Sequence, residues 1–241
     1  MTKGPETRLE QLYKMLNMRS AASDVPADDR TTKARIRDAA IVCFATDGVA
    51  GTSIRAIAET AGVSAGLVIH HYGSKDELRV ACDEHVAAFI RETKTGAMSM
   101  GAGIDPLAAL RSALGGPPLL RYLARTLVDG SPHVAELVDE FVDDAVEYME
   151  VGVEAGLLLP SELPRQRAAL LTIWSLGGIV LHEHLERLLG VDITSDFSQD
   201  PATASNYVAA ALDVLGAMFT DTTRELWSQA FADSEETKES A

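Results

Sequence analysis

Four groupings of side chains in this sequence could do chemistry, and spacing decides which chemistry is open to each. His182-Glu183-His184-Leu185-Glu186 packs two imidazoles and two carboxylates into five residues. A zinc-protease helix needs histidines at the first and fifth positions, so that both rings fall on one face, and the fifth position here is Glu186. His182 and Glu186 share a face only as an adventitious metal pair would, and the plainer reading is the polar end of an interface helix. His70 and His71 are adjacent, so on a helix they point apart, and no cysteine or histidine partner lies near them in sequence. Cys43 and Cys82 form no CxxC pair and sit inside apolar helical patterns, which reads as two small buried residues in a reducing cytoplasm. P-loop and dinucleotide-binding glycine motifs are absent. No catalytic residue, metal or cofactor is therefore expected, and an enzyme is disfavoured. The fourth grouping, residues 52–72, is built for recognition.

Its frame is Ala58, then Gly62, then Val68. Two short helices that cross tightly need a small residue at the contact, and Ala58 supplies it. The turn needs a positive φ, which glycine adopts at little cost, and Gly62 stands there. Val63 plugs the corner, Ser64 caps the second helix, and Val68 docks it on the first. A plain helical hairpin satisfies the same pattern. Charge adds to the case. The chain carries a net −15, which would repel a polyanion. Residues 30–79, however, hold seven Lys/Arg against five Asp/Glu, whereas residues 80–241 hold 10 against 26. Only the first of these stretches can approach nucleic acid.

The run Ile57-Ala58-Glu59-Thr60-Ala61-Gly62-Val63-Ser64, followed by His70-His71-Tyr72-Gly73-Ser74-Lys75-Asp76-Glu77-Leu78, closely resembles the TetR family of transcriptional regulators. The upstream amphipathic helix ending Phe44-Ala45-Thr46-Asp47-Gly48 matches that family's first helix. The resemblance covers roughly residues 31–80; beyond them the match is architectural. The sequence departs from the family at Ile69, where a tyrosine is usual. The resemblance implies that Ser64, Ala65, Gly66, Leu67, Ile69 and His70 face the major groove. It further implies phosphate contacts from Thr52, Ser53, Arg55, His71, Tyr72 and Lys75, with Lys33 and Arg30 reaching the backbone or minor groove.

The elements that must hold this motif are all helical. Ile36, Ala39, Ala40, Cys43 and Phe44 recur at helical spacing and stop at Asp47-Gly48. Ile54 to Ala61 and Ser64 to Tyr72 give the next two helices, and Ser74-Lys75-Asp76-Glu77 is a capping box opening a fourth that runs to about Gly96. Asp105-Pro106, Ser131-Pro132 and Asp200-Pro201 each place a capping side chain before a proline. Helices are expected near 105–115, 117–129, 132–155, 163–189, 201–219 and 222–232, with no sheet. The expected fold class is all-α. Residues 1–30 form a partly flexible arm, 31–78 a helix-turn-helix domain, 79–233 an effector-binding and dimerisation domain, and 234–241 a disordered tail. No apolar run is long enough to span a bilayer, and the start lacks the apolar stretch of a secretory signal.

One helix-turn-helix reads few base pairs, so a homodimer on palindromic double-stranded operator DNA is expected. Leu170, Trp174, Gly177, Gly178, Leu181, Leu185 and Leu188 make one apolar stripe. Tyr207, Ala210, Ala211, Val214, Leu215 and Met218 make another. In the family, two such late helices pair with their mates. The alternative is intramolecular core. The family also implies an effector cavity, for which Phe89, Leu110, Leu114, Tyr122, Leu123, Phe141, Tyr148, Met149 and Trp174 are the candidate walls. Asp144 or Glu147 would meet a cationic ligand there. The functional expectation is a cytoplasmic repressor released by a small hydrophobic or cationic molecule, with an efflux pump among the expected targets. An activator or a ligand-independent regulator of the same fold is the alternative; a protein-interaction module stands further off.

Overall fold

The computed structural model describes residues 27–101, 117–129, 133–193 and 201–228. The arm before them, the expected helix at 105–115 with Leu110 and Leu114, and the tail from 229 lie outside the described residues. The order is α1 (Ala27–Gly51), α2 (Ile54–Ala61), α3 (Ala65–Tyr72), α4 (Lys75–Ser99), α5 (Pro117–Val128), α6 (His133–Glu154), α7 (Pro164–Val180), α8 (His182–Leu189) and α9 (Pro201–Leu215). A 3-10 turn, Gly216–Met218, and a last helical stretch at 221–228 follow. Within α1 the helical path breaks at Gly48, whose φ of 72° and ψ of 166° lie outside the helical region. That is where the apolar period of the sequence stops.

Each start signal acts as its chemistry requires. The Ser53, Ser64 and Ser74 hydroxyls accept from the backbone N–H of Ala56, Leu67 and Glu77, satisfying amides that a helix start leaves open. Apolar faces then build three clusters. The first joins Ile36, Ala40, Phe44, Ile57, Val68 and Leu78 to Leu119 and Tyr122 of α5, so the N-terminal helices rest directly on the next domain. The second holds Ala87, Leu120, Leu123, Phe141 and Ile179. The third holds Ala145, Met149, Leu157, Leu158, Phe219 and Trp227. Cys43 and Cys82 are buried in the first cluster as free thiols. Between α4 and α6 the helices pass so closely at Gly152 that an added Cβ would stand 2.9 Å from Met98 Sδ and 3.1 Å from a Leu158 methyl.

Two elements differ from expectation. The single helix expected over 163–189 is two, α7 and α8, bent by 82°. The Gly177-Gly178 pair weakens the helix just before the break, and Leu181 N–H ends α7 on Gly177 O at 2.9 Å. The bend returns Leu185 to the second cluster, with its methyl 3.5 Å from where a Cβ on Gly178 would sit. The helix expected to reach 219 ends at Leu215, because Phe219 pairs antiparallel with Leu158 in an isolated bridge.

Candidate nucleic-acid interface and the faces behind it

The interface begins with a turn. Gly62 has φ 66° and ψ 38°, the left-handed region where a Cβ is penalised. Gly62 N–H donates to Glu59 O at 3.1 Å and Val63 N–H to Ala58 O at 2.9 Å, closing α2. Ala58 and Val68 are buried against each other's helices, as the spacing required. A side chain that sequence reasoning passed over clamps the turn from outside: Arg35 Nη2 donates to Ala61 O at 2.7 Å. Twenty-six residues separate the partners, so no local pattern shows the clamp.

With Val68 and Tyr72 facing inward, α3 presents Ala65, Gly66, Ile69 and His70 outward. Ile69 is 44 % exposed, so a branched apolar side chain stands where the family has a hydroxyl-bearing ring. Ser64 is exposed while its hydroxyl caps α3, and Leu67 and His71 are half-buried. Ser53 and Arg55 lie exposed at the start of α2.

Three expected phosphate contacts are spent internally. Lys75 donates its ammonium to Val49 O at 2.8 Å and Thr52 O at 3.0 Å, pinning the corner between α1 and α2. Thr52 is buried, and its hydroxyl donates back to Gly48 O at 2.7 Å. Tyr72 is buried, with its phenol donating to Lys33 O at 2.8 Å and its pKa pushed up by burial. The Lys33 ammonium lies 5.4 Å from the Tyr72 ring centroid, a cation–π distance, on an exposed side chain. Helix-start sequence signals cannot show this, because the carbonyls involved come together only when α1 and α4 pack.

Behind the interface, the expected effector walls divide. Tyr122, Leu123, Phe141 and Met149 are close-packed core, and Phe89 and Tyr148 are partly buried against it. Tyr122 OH donates to Asp83 Oδ1 at 2.6 Å, joining α5 to α4. Burial raises the Asp83 pKa, and the Tyr122 hydrogen bond and Arg79 oppose it. Trp174 is 46 % exposed, so it belongs to the outer face of α7 and not to an inner wall. The acidic pair expected to meet a cation is also placed otherwise. Asp144 accepts from Arg91 Nη1 at 3.0 Å, and Glu147 is exposed.

On the outer face, Leu170, Ile173, Trp174, Leu181, Leu188 and Val214 are exposed apolar side chains, Leu170 at 73 % and Val214 at 69 %. Leu185 and Tyr207 pack into the second cluster and Leu215 and Met218 into the third, while Ala211 is half-buried. The expected dimer residues thus fall into an outward set and an inward set.

Known proteins resemble both halves. Residues 36–82 match the family described as bacterial regulatory proteins, tetR family, and residues 117–220 match the tetracyclin repressor-like C-terminal domain. The HTH-type transcriptional regulatory protein RaaS of Mycobacterium tuberculosis is 45 % identical over 154 residues, spanning 64 % of this chain and 72 % of its own. The HTH-type transcriptional repressor Rv3405c of the same species is 35 % identical over 124 residues, 48 % of this chain and 61 % of that one. Among solved structures, a gamma-butyrolactone receptor (ArpA-like protein) aligns with a TM-score of 0.55 at 21 % identity, covering 87 % of this chain and 99 % of its own. A TetR-family regulator from Pectobacterium atrosepticum aligns with a TM-score of 0.53 at 19 % identity, covering 82 % and 99 %. Sequence identity to the first relative, both domain matches and the shared helical fold agree: the chain belongs to the TetR family of bacterial transcriptional regulators.

Proposed function

We propose that the protein is a cytoplasmic repressor that binds a palindromic operator as a homodimer and leaves it when a small, largely apolar molecule enters the domain behind the helix-turn-helix. The observation that carries the DNA reading is α3. Its buried side docks on α2 through Val68, and its outer side offers Ala65, Gly66, Ile69 and His70 with nothing bulky at the helix start. Ser53, Arg55, Lys33 and His71 flank that surface for phosphate contact. Thr52, Tyr72 and Lys75 contribute by holding it in shape.

The exposed apolar faces of α7 and α9 support a dimer, since a monomer would leave them in water. Repression follows one relative, Rv3405c, which is a transcriptional repressor by name. The receptor among the structural neighbours supports a small-molecule trigger by fold alone. A preference for cations loses its support, since Asp144 is paired with Arg91. The mechanism is a population shift: the ligand acts only as far as it prefers the released arrangement, and near-complete release needs about 5.5 kcal/mol of preference. Footprinting the dimer on DNA flanking its own gene tests the reading. A protected palindrome with half-sites about one helical turn apart is expected; binding no tighter than to random DNA would overturn it. Loss of the gene should raise transcription from that site, and a fall would mark an activator.

A further inference from the structure

The outer face of α3 carries two residues that the fold does not ask for. The first is Gly66. It lies inside a helix, where glycine is less favourable than alanine. A Cβ added there would meet only Ser64 Oγ, at 3.9 Å, an ordinary contact. Packing within the chain therefore does not require a bare backbone at that position. The second is Ile69. Its branched side chain is 44 % exposed and belongs to none of the three apolar clusters. Three residues apart on one helix, the two are neighbours on its surface. Helical side chains lean toward the N-terminus, so Ile69 stands over the turn that holds Ala65 and Gly66. A knob of branched carbon thus borders a gap.

What α3 lacks narrows what this face can read. Ala65–Tyr72 contains no Arg, Lys, Asn, Gln, Asp or Glu, the side chains that read base edges by paired or charged hydrogen bonds. The Ser64 hydroxyl is engaged by Leu67 N–H at 3.2 Å, and the buried Tyr72 spends its phenol on Lys33 O. His70 is the fully exposed residue of α3 with ring nitrogens to offer. The rest of the exposed face, Ala65, Gly66 and Ile69, is without polar side-chain atoms. In the major groove the apolar group on a base edge is the 5-methyl of thymine, and that methyl is what an aliphatic side chain can cover.

We propose that Ile69 is a specificity-determining residue, covering the 5-methyl group of a thymine in each operator half-site, with the bare backbone at Gly66 letting that base edge come close. This deepens the proposed operator binding and rests on it. The contact carries no charge. It therefore adds sequence preference without adding to the salt dependence that phosphate contacts create.

The test uses the full chain and the duplex it selects from a random pool. Each thymine of the half-site is replaced in turn, symmetrically, by deoxyuridine, which removes the methyl and leaves the pairing edge alone. At one position the loss should be about fourfold per half-site, the worth of one buried methyl, with the slope of affinity against salt unchanged. Ile69→Ala should weaken binding to the thymine duplex, and the same deoxyuridine should then cost nothing more. Gly66→Ala, which fills open space, should keep Tm or raise it, and should also erase the preference for thymine over deoxyuridine. Both positions are exposed, so both variants should fold. A selected half-site without thymine, deoxyuridine tolerated at every position, or a penalty that Ile69→Ala leaves in place overturns the assignment. A flatter salt slope in Ile69→Ala overturns it as well, marking a route through phosphates. Full discrimination in Gly66→Ala overturns the part given to the gap. A chain that prefers no duplex over random DNA defeats the operator reading itself, whereas one that selects a duplex yet ignores the methyl defeats only the role of Ile69.

Discussion

The two halves of this molecule complete themselves differently. Residues 31–82 close their apolar surface on one another and on Leu119 and Tyr122 of α5: Ile36, Ile57, Val68 and Leu78 are fully enclosed, and helix starts and turn are capped from within. The half from α5 to α9 encloses two clusters but leaves Leu170, Ile173, Leu188 and Val214 in water. A unit whose apolar surface is closed within the chain displays its function on polar and small residues that packing does not need. A unit that leaves apolar side chains outside needs a second body to finish it.

The sharpest way to break that contrast is Leu170→Glu with Val214→Glu. Both side chains are exposed, so each chain should still fold. Sedimentation should move from twice the chain mass to 25.8 kDa, with operator affinity falling about a hundredfold as two linked half-sites become one. An unchanged dimer would show that α7 and α9 face nothing. The reverse experiment belongs to the N-terminal unit. Lys75→Ala strips donors from the Val49 and Thr52 carbonyls and should cost about 1–3 kcal/mol, read as a lower Tm. Because that ammonium is spent internally, the salt dependence of DNA binding should not change; a flatter slope would return Lys75 to the phosphates.

Acid sharpens the comparison at the seam between the halves. Burial drags the His85 imidazole on α4 down to about 4 from an ordinary 6.5, with Arg37 adding to the effect. Between those values the unfolded chain holds the extra proton, so stability is lost as pH falls from 6.5 through 4. Asp38 and Asp83, raised by burial, act in the opposite direction over the lower part of that range. His85→Gln should flatten the acid limb of the melting curve, and the difference from wild type isolates the histidine. An identical acid limb would mean that His85 titrates alike in both states. The smallest effect is expected from Arg55→Ala, exposed at the start of α2, which should leave Tm alone and reduce the salt slope by about one unit.

The sequence made the N-terminal unit legible almost residue by residue, because its signals are local. Ser64 caps, Gly62 turns and Val68 docks within a dozen positions of one another. Gly48 broke the helix where the apolar period ended. Legibility failed where contacts join distant segments. Lys75 reads as a phosphate contact until α1 brings two carbonyls to it. The glycines at 177 and 178 read as sites of close helix approach, and they instead precede an 82° bend. Trp174 carries the same apolar signal whether it faces a cavity or a partner, and only the fold sets it outside. Arg35 gave no signal at all, since its meaning lies in the Ala61 carbonyl that folding brings to it from across the fold.

The pairing of Leu158 with Phe219 carries a consequence for how such a chain can be altered. Leu159 N–H donates to Met218 O at 2.8 Å and Thr220 N–H to Leu157 O at 3.2 Å, while Thr223 reaches Leu157 O at 3.2 Å. The chain between these points contains α7, α8 and α9, so nearly every outward apolar side chain considered for a partner lies in one loop stitched shut at its base. Such a loop is a cassette. A chimera joined at Leu158 and Phe219 would exchange the pairing surface through two ends already held side by side by hydrogen bonds, leaving Leu119 and Tyr122 under the helix-turn-helix, provided the donor keeps the inward Ala168, Ile179 and Ile193 that complete the two clusters behind. Choice of partner and choice of DNA are thereby free to be changed one at a time.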